Sequence, residues 1–293
     1  MDLVTRAPRL PRAGETLAGH SFVTVPGGKG ANQAVAAARL GASVAMIGCV
    51  GDDAYGEQLR EALVQEGIDC QGVSTVGGES TGVALIVVDD SSQNAIVIVA
   101  GGNGHLTPIV VDGFDALLSA AEVVVCQLEV PTDTVGHVLK RSHELGKIVI
   151  LNPAPAVGPL PAQWHAWIDY LIPNESEAAM LTAMPVNDFA TADVAATALL
   201  GAGVGKVIVT LGAQGALFAS QARSEHFPAP SVVALDTTAA GDTFVGGFAA
   251  ALSLGKSEAE AIRFGQTAAA LSVTRAGAQP SIPTADEVLS FQP

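Results

Sequence analysis

Residues 122–151 read EVVVCQLEVPTDTVGHVLKRSHELGKIVIL. Two β-branched apolar runs, 122–128 and 147–151, bracket a helical pattern over 132–145. Runs that are apolar without alternation belong to strands buried on both faces, which is the habit of a parallel sheet. Parallel neighbours need a crossover, usually a helix, so the unit is strand, helix, strand. The same pattern recurs on either side. The run 44–50 (VAMIGCV) precedes a helical stretch over 54–66, and helical stretches over 175–184 and 188–200 precede the run 206–211 (KVIVTL). Helical patterns over 241–254, 257–274 and 284–290 complete the chain. This alternation predicts an α/β fold with a doubly wound, mainly parallel sheet flanked by helices. One domain over residues 1–293 is expected.

Two segments break the pattern. Residues 81–88 (TGVALIVV) and 94–100 (NAIVIVA) are strand-like and joined by Asp89-Asp90-Ser91-Ser92-Gln93, which predicts a hairpin. Residues 16–25 (TLAGHSFVTV) are also strand-like. Segments from about 1–25 and 80–101 are expected to form a small β-sheet lid over the strand ends.

Composition narrows the partners. With 14 Lys+Arg against 29 Asp+Glu and a formal net charge of −15, the chain lacks the basic stripe that nucleic-acid binding requires. An acidic surface serves solubility and still leaves room for local donors that bind an anion. No apolar run reaches membrane-spanning length, and MDLVTRAPRLPRAGET lacks a secretory apolar stretch. A cytoplasmic protein with no membrane partner is the expectation. Cys49, Cys70 and Cys126 show no CxxC spacing and read as buried thiols.

Four segments carry chemistry. The most informative is Asp236-Thr237-Thr238-Ala239-Ala240-Gly241-Asp242-Thr243-Phe244, where small residues lead into a helix. The first amides of a helix have no internal partner, and with the helix dipole they form an anion site. Ala239, Ala240 and Gly241 let a phosphate oxygen approach the backbone. Asp242 could simply cap the helix; beside an anion site it also stands where a base must be to deprotonate an attacking hydroxyl. The second segment, GGKGANQAVAAARLGA over 27–42, sets Lys29 among Gly27, Gly28 and Gly30, with Asn32 offering a donor and an acceptor suited to a polyol. The third, Asn174-Glu175-Ser176-Glu177, follows a strand-like run; its acids serve a helix dipole or order water around Mg²⁺. The fourth is Thr210-Leu211-Gly212-Ala213-Gln214-Gly215, a strand end entering a glycine turn, outside which ligands of open α/β sheets bind. The sequence contains no GxxxxGK[ST], no GxGxxG after a strand, no HExxH and no GxSxG.

Together these segments resemble the ribokinase family of carbohydrate kinases, the phosphofructokinase-B group, from about residue 2 to the C-terminus. Its two diagnostic motifs match GGKGANQAVAAARLGA and DTTAAGDTF in order and distance. Within the group, GGKGANQA, Asn152-Pro153-Ala154-Pro155-Ala156 and Gly277-Ala278-Gln279-Pro280-Ser281 resemble the ribokinase branch more than fructokinases or adenosine kinases. The resemblance implies transfer of the ATP γ-phosphoryl group to the 5-hydroxyl of D-ribose. Deoxyribokinase, fructokinase and nucleoside kinase activities, or a non-catalytic sugar or nucleotide sensor, are the alternatives.

The resemblance also implies roles. Asp242 is the catalytic base, with Ala239, Ala240 and Gly241 supplying the anion-hole amides. Asp2, Gly28, Lys29, Gly30, Asn32 and Glu129 hold the sugar. Asn174, Thr210, Leu211, Gly212, Ala213, Gln214, Gly215 and Gly241 contact the nucleotide, with Gln266 near the adenine and Glu177 linked to Mg²⁺ and phosphate. Asp236, Thr238, Ser272, Arg275, Gly277 and Ser281 form a loop binding a monovalent cation, usually K⁺, largely through carbonyls. A homodimer through the β-lid is implied. The family begins with a buried strand ending in Gly-Ser-x-Asn-x-Asp; here Met1-Asp2 falls at the end of that pattern, so the native chain is expected to begin upstream.

Overall fold

The computed structural model describes residues 1–91 and 93–292; Ser92, in the predicted hairpin turn, lies outside the described residues. Strands β1 (Asp2–Ala7) and β2 (Ser21–Val25) lead into helix α1 (Lys29–Arg39), then β3 (Ala45–Gly51), α2 (Ala54–Gln65) and β4 (Asp69–Val76). The hairpin β5 (Val83–Asp89) and β6 (Asn94–Val99) precedes two short helices, α3 (Pro108–Asp112) and α4 (Asp115–Ala120). There follow β7 (Val123–Cys126), α5 (Thr132–Glu144), β8 (Ile148–Leu151), β9 (Tyr170–Leu171), α6 (Glu175–Thr182), α7 (Phe189–Gly201) and β10 (Lys206–Thr210). Strands β11 (Ala216–Ser220) and β12 (Ser224–Phe227) come before α8 (Ala240–Ser253), α9 (Glu258–Ser272) and α10 (Ala285–Ser290).

The main sheet runs β12-β11-β10-β9-β8-β7, with β7 through β10 parallel and β11 and β12 antiparallel at one edge. Alternate side chains divide between two layers. Val149, Leu151, Leu171, Val207 and Val209 pack with Leu139 of α5 and Ala192, Ala196 and Leu199 of α7. Ile150, Tyr170, Ile172 and Ile208 pack on the opposite face with Phe244 and Phe248 of α8 and Ile262 of α9. Both faces being covered is why these strands read as continuous apolar runs.

Strands β3 and β4 pair in parallel as a separate two-stranded sheet. Among the described residues no strand hydrogen bond joins β3 to β7. Between them opens a cleft of about 1310 Å³, lined by Met46 to Val50 on one side and Val123 to Cys126 on the other, with Met1 also on its wall.

The remaining sheet, β2-β1-β5-β6, departs from expectation in two ways. Residues 2–7 form a strand, pairing parallel to β5 from Asp2↔Ala84 to Ala7↔Asp89. The polar DLVTRA pattern, followed by Pro8 and Pro11, conceals that strand from a reading based on apolar runs. Conversely, only residues 21–25 of the stretch 16–25 are strand. Much of this sheet is exposed and apolar: Phe22 is 60%, Val97 59% and Ile98 60% accessible. Strands β4, β11 and β12 are further additions that the pattern reading does not predict.

Candidate active site

The C-terminal ends of β8, β9 and β10 face the start of α8 across a cavity of about 220 Å³. Its wall includes Lys29, Asn152, Asn174, Glu177, Thr210, Ala239, Ala240, Gly241 and Asp242. Residues scattered from 29 to 242 therefore converge at the open end of the sheet, where α/β folds bind ligands.

Asp242 sits in the first turn of α8 and is only 7% exposed. Its side chain does not cap the helix; the N-cap residue is Ala239, in the left-handed conformation at φ 58° and ψ 15°. Instead Asp242 Oδ2 accepts from Asn32 Nδ2 and Oδ1 from Gln33 Nε2, both at 3.0 Å. The capping alternative is thereby excluded. Burial raises the Asp242 pKa above its ordinary value, opposed by the charge of Lys29 and the two amide donors.

The anion site is narrower than expected. Ala240 N–H donates to Thr237 O at 3.2 Å, so that amide is already engaged. Among the described residues the amides of Ala239, Gly241 and Asp242 have no acceptor, and these are the donors available to an anion. An alanine held at positive φ at this turn is strain of the kind found where backbone geometry is functional.

The glycine-lysine turn divides the site. Lys29 borders the small cavity, whereas Gly28, Gly30, Asp2 and Glu129 border the larger cleft. Lys29 N–H donates to Glu129 Oε2 at 2.8 Å. A methyl on Gly27 would fall 2.3 Å from an Asp2 carboxylate oxygen, so only glycine lets Asp2 lie against this turn. Burial raises the pKa of Asp2 and Glu129, partly offset by neighbouring cationic groups, with Asp242 adding to the rise in both. Asn32 links this side to Asp242 through its amide.

On the opposite wall, Asn174 and Glu177 form a reciprocal capping box at the start of α6. Glu177 Oε2 accepts from Asn174 N–H at 2.9 Å, and burial raises the Glu177 pKa. Asn174 Oδ1 is occupied by Glu177 N–H and Ser176 Oγ, which leaves its Nδ2 for a ligand. Leu211, Gly212, Ala213, Gln214 and Gly215 continue from Thr210 but line neither cavity. Gln266 is buried, and its Nε2 donates to Phe227 O at 2.7 Å, so this amide is committed to the protein interior.

No cluster of three or more acidic, His or Cys side chains able to hold a metal occurs among the described residues. Mg²⁺ keeps several waters and needs few protein carboxylates, and Glu177, on the cavity wall, is a carboxylate that could serve it. Two loops behind α8 suit a monovalent cation. Asp236 Oδ1 accepts from Thr238 N–H and Oγ, and Oδ2 from Gly277 N–H at 2.8 Å, tying the loops together. Among the described residues the carbonyls of Asp236, Thr238, Arg275 and Gly277 accept no hydrogen bond. The Ser272 and Ser281 hydroxyls donate to Ala269 O and Ala278 O. The Arg275 side chain pairs with Glu287, so Arg275 could contribute to this loop only through its backbone.

Residues 1–285 match the pfkB family of carbohydrate kinases. The chain belongs to that family. It is 46% identical to a ribokinase of Haemophilus influenzae, over 99% of this chain and 94% of that protein. It is 39% identical to a deoxyribokinase of Salmonella typhimurium, over 98% of this chain and 94% of the other. Its fold superposes with a TM-score of 0.94 on an Arabidopsis thaliana ribokinase complexed with ribose and ATP, at 35% identity, covering 99% of this chain and 96% of that one. The kinase is thus a phosphotransferase with an alcohol acceptor, on a ribokinase-like α/β fold.

Sequence reasoning missed Gln33, Gln127 and Gln279, whose side-chain amides surround the Asp242 and Asn32 pair. A signal was available: Asn32-Gln33 is an adjacent pair of amides among the alanines and valine of α1, and both are buried.

Proposed function

We propose that this kinase phosphorylates the 5-hydroxyl of D-ribose with ATP, giving ribose 5-phosphate and ADP. The observation that carries the reading is the buried Asp242 carboxylate beside the free amides of α8 and across from Lys29. Asp242 accepts the hydroxyl proton as the oxygen attacks the γ-phosphorus in line. The amides of Ala239, Gly241 and Asp242 take up charge developing on the phosphoryl oxygens, a preorganised stabilisation worth about 3–4 kcal/mol per key donor in other enzymes. Asp2, Gly28, Gly30, Asn32 and Glu129 hold the sugar hydroxyls; Asn174 and the Thr210–Gly215 turn hold the nucleotide. Glu177, on the cavity wall, would stand beside a Mg²⁺ ion carried on the phosphates, and such an ion would neutralise charge on the transferring group. The free carbonyls of Asp236, Thr238, Arg275 and Gly277 would hold a K⁺ ion, which would steady the turn from which α8 begins.

The four-stranded sheet acts as a lid that excludes water on closure, and its exposed apolar strands pair with a second copy in a homodimer. A cytoplasmic location suits three unpaired thiols. Asp242→Asn is expected to keep its fold and lose about 10²–10⁴-fold in ribose-dependent ADP release; near-normal turnover would sink the reading. The same assay with deoxyribose, fructose and adenosine separates the sugar alternatives.

A further inference from the structure

Gln33 is 3% exposed and has no role in the reaction as derived above. Its Nε2 donates to Asp242 Oδ1 and to Asn152 Oδ1, each at 3.0 Å, and its Oε1 accepts from Gln127 Nε2. We propose that Gln33 is a positioning residue that fixes the orientation of the Asp242 carboxylate from which the substrate proton is accepted. The inference rests on Asp242 acting as the base.

The chemistry leaves Gln33 one arrangement. An ionised carboxylate only accepts hydrogen bonds, so the amide nitrogen of Gln33 must face it. Asn152 Oδ1 is also an acceptor, because Asn152 Nδ2 is committed to Ile172 O at 2.8 Å. Gln127 then satisfies the remaining Gln33 oxygen. Turning the Gln33 amide over would break all three bonds at once. The second Asp242 oxygen is held in the same manner by Asn32, whose own oxygen accepts from Gln279 Nε2 at 3.2 Å. Each carboxylate oxygen thus spends one lone-pair direction on an amide and keeps another for the cavity.

Packing alone does not call for glutamine here. Its buried neighbours in α1 are Asn32, Ala34, Val35 and Ala36, and an apolar residue would avoid the desolvation of an amide. The charged groups that face Asp242 are Lys29 at the start of α1, Asp2 on β1, Glu129 beyond β7 and Glu177 on α6. Among the described residues none of these donates a hydrogen bond to the carboxylate. Three of the four are acids that disfavour its ionised form, so the two amides are the direct contacts that keep it competent to take a proton.

The test is steady-state kinetics across pH with ATP and ribose for Gln33→Met, which keeps length but removes the donors, and Gln33→Glu, which keeps shape but adds an acceptor. Asp242→Asn is run beside them. The expected result for Gln33→Met is a kcat lower by about 10- to 100-fold with the ribose KM little changed. The acid limb of its kcat profile should move up by about one pH unit, and further in Gln33→Glu. A merely structural role would leave that limb in place. A folded Gln33→Met with wild-type kcat and an unmoved limb overturns the inference. Should circular dichroism show Gln33→Met unfolded, Gln33→Glu decides, and an unmoved limb there overturns it. Wild-type turnover in Asp242→Asn would instead defeat the reading of the base. An inactive Asp242→Asn with unaltered Gln33 variants defeats this inference alone.

Discussion

Replacing Gly246 with alanine would disturb the seat of Asp242 through the contact of α8 with α1. Gly246 lies in α8 one turn beyond Asp242, where α8 crosses α1. A methyl group there would stand 2.5 Å from Ala36 Cβ, 2.6 Å from Gln33 O and 3.0 Å from Ala37 N. Carbon atoms rest at about 3.5–4.0 Å, so the two helices must part by about 1 Å, and backbone atoms cannot swing aside. The hydrogen bonds from Asn32 and Gln33 to Asp242, now 3.0 Å, would stretch to about 4 Å and be lost. Overpacking of this kind costs about 1–3 kcal/mol, at about 2–4 °C in Tm per kcal/mol. A 1 Å misplacement of catalytic groups costs about 10²-fold in rate. The measurements are a thermal melt and ATP turnover with ribose. Gly201→Ala serves as the control, since a methyl there meets nothing within 4 Å. Gly246→Ala with the Tm and kcat of the control would refute the argument that α1 and α8 jointly hold the proposed base, Asp242.

Two further outcomes follow from charge and exposure. Glu129 has a pKa raised by burial from its ordinary 4.5, so the folded protein holds that proton to higher pH than the unfolded chain. The contribution of Glu129 to stability therefore falls as pH rises from about 4.5 through its folded pKa, and Glu129→Gln escapes this loss. Its Tm should exceed wild type at neutral pH, with the gap closing on acidification; a constant gap would contradict the sign. Val97→Asp sets a charge on the exposed sheet at a residue 59% accessible. The proposed homodimer predicts that sedimentation finds the wild type dimeric and the variant monomeric at the same concentration, with the variant's Tm at low concentration unchanged; a monomeric wild type or an unshifted variant would remove this face from the proposal.

The layered fold was legible because its strands are sandwiched between helices: Ile148–Leu151 and Lys206–Thr210 carry apolar residues on both faces and leave little ambiguity. Strand β1 was not, because DLVTRA gains its stability from pairing with β5 rather than from its own pattern. Within the site, Asp242 and Lys29 stood out since their neighbours are small and the chemistry is local. The engagement of Ala240 N–H by Thr237 O depends on the left-handed turn at Ala239, which composition does not announce. Gln127 and Gln279 were invisible for another reason. Each joins the network through a partner about a hundred residues or more away, and sequence spacing carries no trace of such contacts.

Those separations bear on how the protein is made. Asn32 and Gln33 meet Asp242 across 210 and 209 residues, and Gln279 meets Asn32 across 247. During vectorial synthesis the first helix must wait, its amides bonded to water, until nearly the whole polypeptide has left the ribosome. No nascent fragment ending before α8 contains Asp242, so the amides of Asn32 and Gln33 cannot meet their carboxylate until that helix has emerged.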